Sequence, residues 1–244
     1  TRLYQWNGTA WVQLGNDIDG ESADDNSGFS VSLSSDGTVV AIGATKNDGN
    51  GNNSGHTRLY QWNGTAWVQL GNDIDGESQL DHSGHSVSLS SDGTVVAIGA
   101  WLNGDNGIGS GHTRLYQWNG TAWVQLGNDI DGESADDNSG FSVSLSSDGT
   151  VVAIGANKAG GGGNNSGHTR LYQWNGTAWV QLGNDIDGES ADDNSGFSVS
   201  LSSDGTVVAI GANKAGGGGN NSGHTRLYQW NGTAWVQLGN DIDG

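Results

Sequence analysis

Apolar and polar residues alternate with a period of two along most of the chain, which predicts strands and gives no segment a helical period. In the first stretch, TRLYQW and TAWVQL flank Asn7-Gly8. Asn-Gly between two alternating runs predicts a hairpin, because both central residues of a type I′ turn need positive φ. The pairing this implies sets Trp6 against Thr9, Tyr4 against Trp11 and Leu3 against Val12. One face then carries Arg2, Tyr4, Trp6 and Trp11, and the other Leu3, Ala10, Val12 and Leu14. In the second stretch, FSVSLSS and TVVAIGA flank Asp36-Gly37, again a type I′ signal. Here Leu33 faces Val40, Val31 faces Ile42 and Phe29 faces Ala44, which makes one bulky apolar face. The opposite face shows only Ser30, Ser32, Ser34, Val39, Ala41 and Gly43. A bulky face can lie closely on the small face of a neighbouring sheet, as stacked sheets require.

The string TRLYQWNGTAWVQLGNDIDG begins at Thr1, Thr57, Thr113, Thr169 and Thr225, an interval of 56. The chain is therefore one tandem-repeat region, 1–244, with units 1–56, 57–112, 113–168 and 169–224 and a partial unit 225–244. The third and fourth units are identical. The second differs most, with Gln79-Leu80-Asp81-His82 and His85 where the first has Ala23-Asp24-Asp25-Asn26 and Phe29. Such near-identity means that retention of a residue in every copy says little about its importance. Four strands per unit without helices predict an all-β fold of tandem four-stranded antiparallel blades. The arrangement is of β-propeller type, open or part of a longer array. The half-units at the two ends are expected to seek strand partners.

Composition narrows the function. The net charge is −19, with only 8 Lys and Arg, so no basic footprint for nucleic acid exists. Anionic lipid is disfavoured for the same reason, and no apolar run is long enough to be inserted in a membrane as a helix. Without Cys there is no disulfide framework and no thiol chemistry.

The run GFSVSLSSDGTVVAIGA, a Gly/Asn loop and SGHTRLYQWNG together resemble the FG-GAP repeat, the blade repeat of integrin α-subunit propellers and of secreted microbial and algal proteins. The microbial and algal form is the nearer likeness. The resemblance covers essentially the whole chain and implies four-stranded blades, an extracellular or cell-surface setting, and adhesion or scaffolding. Thr45 stands where the family's Gly-Ala-Pro has Pro. The integrin-type calcium loop does not carry over, because its place is taken by the tight Ser35-Asp36-Gly37 turn.

Candidate chemistry is concentrated in the loop NDIDGESADDNSG. Its acidic residues in the successive copies are Asp17, Asp19, Glu21 and Asp25; Asp73, Asp75, Glu77 and Asp81; Asp129, Asp131, Glu133 and Asp137; and Asp185, Asp187, Glu189 and Asp193. Alternating carboxylates with Gly can supply the oxygen ligands calcium needs, although the spacing is not that of an EF-hand. The other reading is a solvated loop whose carboxylates cap turns. Asp24 is Leu80 in the second copy and so cannot be a ligand common to all. The loop Asn47 to Asn52 loses its carboxylate in later copies and reads as a linker. His56, His112, His168 and His224 each precede a Thr-Arg strand, where a hydrogen bond at the start of the strand is the expected role; no Cys or second His completes a zinc set. The Trp pairs are read as packing between sheets in preference to sugar stacking. Asn7, Asn63, Asn119, Asn175 and Asn231 begin Asn-Gly-Thr glycosylation sequons at hairpin tips, and Asn52, Asn164 and Asn220 begin others.

No nucleophile elbow and no phosphate-binding loop appears, so the sequence suggests a protein that is not an enzyme. The expected function is an extracellular structural or adhesive repeat protein, self-associating or packing on neighbouring repeats, and assembling head-to-tail into a filament or surface structure. The alternative is a closed propeller that binds a glycan or protein ligand, with Trp101 in the divergent second unit as a ligand contact.

Overall fold

The computed structural model of the chain describes residues 1–216 and 221–244; Asn220 lies outside them. Twenty-two strands and no helix are found among the described residues. The chain begins with a pair of short strands, β1 (Tyr4–Trp6) and β2 (Trp11–Gln13). Four sheets follow. The first has β3 (Ser27–Leu33), β4 (Val39–Ala44), β5 (His56–Trp62) and β6 (Trp67–Gln69), with the short β7 (Ile74–Asp75) also pairing on β5. The second has β8 (Ser86–Leu89), β9 (Val95–Ala100), β10 (His112–Trp118), β11 (Trp123–Gln125) and β12 (Ile130–Asp131). The third has β13 (Ser139–Leu145), β14 (Val151–Ala156), β15 (His168–Trp174), β16 (Trp179–Gln181) and β17 (Ile186–Asp187). The fourth has β18 (Ser195–Leu201), β19 (Val207–Ala212), β20 (His224–Trp230), β21 (Trp235–Gln237) and β22 (Ile242–Asp243). All strand pairs in these sheets are antiparallel, as for propeller blades.

Blades and sequence units are out of phase. β4 pairs with β5 across the unit boundary, with Val40 opposite Tyr60 and Ala44 opposite His56. Each blade therefore takes its first hairpin from one unit and its second from the next.

The Asp36-Gly37 hairpin has the expected register at Val31–Ile42 and Leu33–Val40. At its open end Ser27, not Phe29, lies opposite Ala44, because the register shifts between Ser27 and Ser30. The Asn7-Gly8 hairpin pairs Trp6 with Trp11, Gln5 with Val12 and Tyr4 with Gln13, two residues away from the expected pairing. The cause is the Asn7 side chain. Its Oδ1 accepts hydrogen bonds from Thr9 N, Thr9 Oγ1 and Ala10 N, all at 2.9 Å, which closes a longer loop in which Gly8 has positive φ and Asn7 does not. A two-residue shift leaves each side chain on its expected face.

The bulky-on-small stacking expected of the second hairpin forms the core. Val39, Ala41, Leu59 and Ile74 of the first blade pack on Leu89, Val96, Ile98 and Tyr116 of the second. The same set recurs at the next two junctions. Gly43 lets the sheets approach: a Cβ there would lie 2.0 Å from the Gly84 carbonyl oxygen of the second blade. The Trp residues knit the outer strands. Trp62 and Trp67 have ring centroids 5.5 Å apart, and Trp67 Nε1 donates to Leu14 O of the preceding strand pair at 2.8 Å.

Candidate metal centre

Each blade gathers one histidine and two carboxylates at the start of its third strand. In the first blade these are Glu21, His56 and Asp73; in the third, Glu133, His168 and Asp185; in the fourth, Glu189, His224 and Asp241. The second has four such groups, Glu77, Asp105, His112 and Asp129. Within each set one ligand atom per residue lies within 4.8 Å of all the others.

The backbone explains the convergence. The β7–β5 pairing sets Asp75 opposite His56, which brings the preceding Asp73 alongside. Glu21 arrives on the linker into the blade. That linker is held because Arg58 Nη2 donates to Asp19 O at 2.6 Å, two residues before Glu21. Arg114, Arg170 and Arg226 hold the later linkers in the same way.

In the first blade each carboxylate has one oxygen held and the other turned to the histidine. Gln69 Nε2 donates to Asp73 Oδ1 at 2.5 Å, while Asp73 Oδ2 lies 3.6 Å from His56 Nδ1. Arg58 Nη1 stands 3.6 Å from Glu21 Oε1, while Glu21 Oε2 lies 3.8 Å from His56 Nδ1. In the second blade Glu77, Asp105 and Asp129 each place an oxygen 3.8 Å from His112 Nδ1. These separations are too long for hydrogen bonds. They are close to the spacing of about 3.4 Å between neighbouring ligands of a tetrahedral ion with bonds near 2.1 Å.

The hydrogen bond expected of the strand-initiating histidines is not formed at His56 or His112, whose Nδ1 atoms are buried without a partner. The His112 side chain is 0% exposed. Burial, helped by Arg114, pushes the His112 pKa down to about 3, and burial with Arg170 takes His168 to about 4. These imidazoles are neutral near pH 7, so their carboxylate neighbours are not ion-pair partners, and a neutral nitrogen with a free lone pair is a metal ligand. Burial pushes the Glu77 pKa up, against the pull of Arg114 and with Asp129 and Asp105 adding to the rise. Three carboxylates are crowded there against the single guanidinium of Arg114.

The acidic loop is thus shared out. Its Glu enters the cluster of the blade that follows, and its first Asp, from Asp73 onward, belongs to the cluster of the blade that precedes. Asp17 of the first copy instead meets Arg2 at 2.9 Å. Asp19, Asp75, Asp131 and Asp187 belong to no cluster among the described residues. Asp25, Asp81, Asp137 and Asp193 cap the loop, accepting from the backbone N of Ser22, Ser78, Ser134 and Ser190 at 2.8–2.9 Å. Sequence reasoning missed the four histidines and Asp105. The recurrence of His at a fixed place was the available signal, but its partners lie on separate strands and loops.

Elsewhere, Asn7, Asn63, Asn119, Asn175 and Asn231 all sit at hairpin tips, each accepting from the Thr two residues on. Trp101 packs against His85 at 5.5 Å and edge-on to Phe141 at 5.9 Å.

Residues 18–60, which run from one acidic loop through the first three strands of a blade, match the FG-GAP repeat. That segment matches one FG-GAP repeat. A comparison with curated proteins finds no match. Among solved structures, the chain is similar to a periplasmic gluconolactonase from Pseudomonas aeruginosa, with a TM-score of 0.65 and 14% identity over 100% of this chain and 64% of that one. It is also similar to a hydrazine synthase from Kuenenia stuttgartiensis, with a TM-score of 0.60 and 9% identity over 93% of this chain and 51% of that one. A putative 6-phosphogluconolactonase from Bacteroides uniformis has a TM-score of 0.51 and 10% identity over 100% of this chain and 78% of that one. The chain thus spans half to two thirds of the length of the first two. At these identities the likeness establishes the propeller-type fold alone.

It also corrects the functional expectation. These blades share their fold with enzymes, so the lack of a sequence motif for catalysis was no ground for reading the chain as non-enzymatic. The structural or adhesive filament, which leaned in part on that exclusion, and its alternative as a closed binding propeller do not stand.

Proposed function

We propose that this FG-GAP repeat protein is a divalent-metal-binding propeller, taking one cation per blade at the histidine–carboxylate cluster. The observation that carries the reading is His112 Nδ1, buried without a hydrogen-bond partner and ringed by three carboxylate oxygens at 3.8 Å. A buried, unpartnered imidazole nitrogen among crowded carboxylates costs stability, and a cation relieves both defects at once. Imidazole with carboxylate suits borderline cations such as Zn²⁺ or Mn²⁺ better than calcium, which takes oxygen ligands. The Arg–Glu and Gln–Asp contacts supply the outer partners that orient metal ligands. A cation here ties the linker from the preceding blade to the third strand and to the segment after the fourth.

Dialysed protein titrated with Zn²⁺ or Mn²⁺ is expected to take up about one ion per cluster, and its melting temperature to rise on loading. Absence of saturable uptake of either ion at micromolar concentration overturns the reading.

A further inference from the structure

The four clusters are not alike. Among the described residues three side chains converge in the first, third and fourth blades, and in the second a fourth joins them, Asp105, whose Oδ2 lies 3.8 Å from His112 Nδ1. Asp105 sits in the loop between β9 and β10. The corresponding residues in the first and third units are Gly49 and Gly161.

Resting on the metal-binding reading above, we infer that the second blade holds a closed, four-ligand site, whereas the three-ligand clusters keep one coordination position for water or a small anion. Zinc-type sites divide along this line: four protein ligands make a closed structural site, and three leave a position for exchangeable ligands. His112, Glu77, Asp105 and Asp129 can supply a four-ligand set through side-chain adjustment, since their ligand atoms already lie within 4.8 Å of one another. The outer contacts are the same in both kinds of site. Arg114 Nη1 is 3.5 Å from Glu77 Oε1, as Arg170 Nη1 is 3.7 Å from Glu133 Oε1, and Gln125 donates to Asp129 as Gln181 does to Asp185. The added carboxylate is the ligand that the second site has and the other three lack. It gives the second site higher affinity and shields its ion from exogenous ligands, and leaves the other three weaker and open. The ligand class for the open sites is a monodentate anion such as azide, a carboxylate or hydroxide.

The test is Co²⁺ titration followed by visible absorption, with azide added to the loaded protein, in the native chain and in Asp105→Gly. Because Gly occupies this position in the first and third units, the substitution is compatible with the blade fold. The expected result is one ion bound at least tenfold more tightly than the rest, with an absorption unchanged by azide, and a later set whose absorption shifts with azide. In Asp105→Gly the tight, azide-insensitive ion is lost and the weak set gains one member. Four equal sites in the native chain, or a tight site that survives Asp105→Gly, overturns this inference and leaves the metal-binding reading intact. No Co²⁺ uptake, together with none of Zn²⁺ or Mn²⁺, removes both.

Discussion

β3 and β13 have the same sequence, SGFSVSL, and opposite surroundings. In β13 Val143 is 9% exposed and Leu145 7%, because the small face of the second blade lies on them. In β3 the equivalent Val31 is 55% exposed and Leu33 53%. Before the first blade stands only the short pair β1–β2, and its Leu3 and the following Ile18 reach no further than Val40, Ile42 and Tyr60. One strand sequence thus serves as core or as surface according to what stands beside it. In a repeat array the contribution of a residue belongs to the interface it meets rather than to the unit that encodes it.

The largest difference is expected at the glycine that is fifth in each VVAIGA strand. At Gly99 an added Cβ would lie 2.0 Å from the Gly140 carbonyl oxygen, whereas at Gly211 in the last blade the nearest atom is the hydroxyl of Ser198 at 2.4 Å. Gly99→Ala is expected to separate the second and third blades and cost about 3 kcal/mol or more, and Gly211→Ala about 1 kcal/mol. Amide exchange resolved by blade is the measurement, since arrays do not unfold as two states. Equal effects would mean that the blades do not stack as described.

Leu145→Ala should cost about 2–3 kcal/mol and Leu33→Ala well under about 1 kcal/mol, read by the same blade-resolved amide exchange. A Leu33 variant as damaging as the Leu145 variant would show that the first blade is covered in solution.

The Trp residues give a smaller contrast. Trp123 Nε1 donates to Leu70 O of the preceding blade at 2.8 Å, while Trp11 is 67% exposed. Trp123→Phe is expected to lose about 1 kcal/mol and Trp11→Phe nothing measurable.

The smallest effect sharpens a difference between units. Leu80 is held at φ 67°, where the other units place Asp24, Asp136 and Asp192 at 64–68°. A leucine is strained there, and Asp tolerates the left-handed region better. Leu80→Asp should stabilise the second blade by about 0.5 kcal/mol in thermal melts; destabilisation would mean that the half-exposed Leu80 side chain contributes packing that outweighs the strain.

The period of 56, the strand alternation and the bulky and small faces of the second hairpin were all legible in the sequence, because a period-two pattern depends only on near neighbours along the chain. So was the inter-blade stacking, which follows from facing one such surface with the other. The register of the first hairpin was not, because Asn7 Oδ1 draws three donors into a longer loop and outcompetes the turn its dipeptide suggests. Nor were the blade boundaries, which depend on β4 pairing with a strand of the next unit. The histidine–carboxylate clusters lay furthest from view. Glu21, His56 and Asp73 are joined only when the linker is clamped by Arg58 and β7 returns to pair with β5. The sequence by itself determined strands, faces and repeat. The tertiary structure decided which faces are covered and which charges converge, because both depend on contacts between residues tens of positions apart.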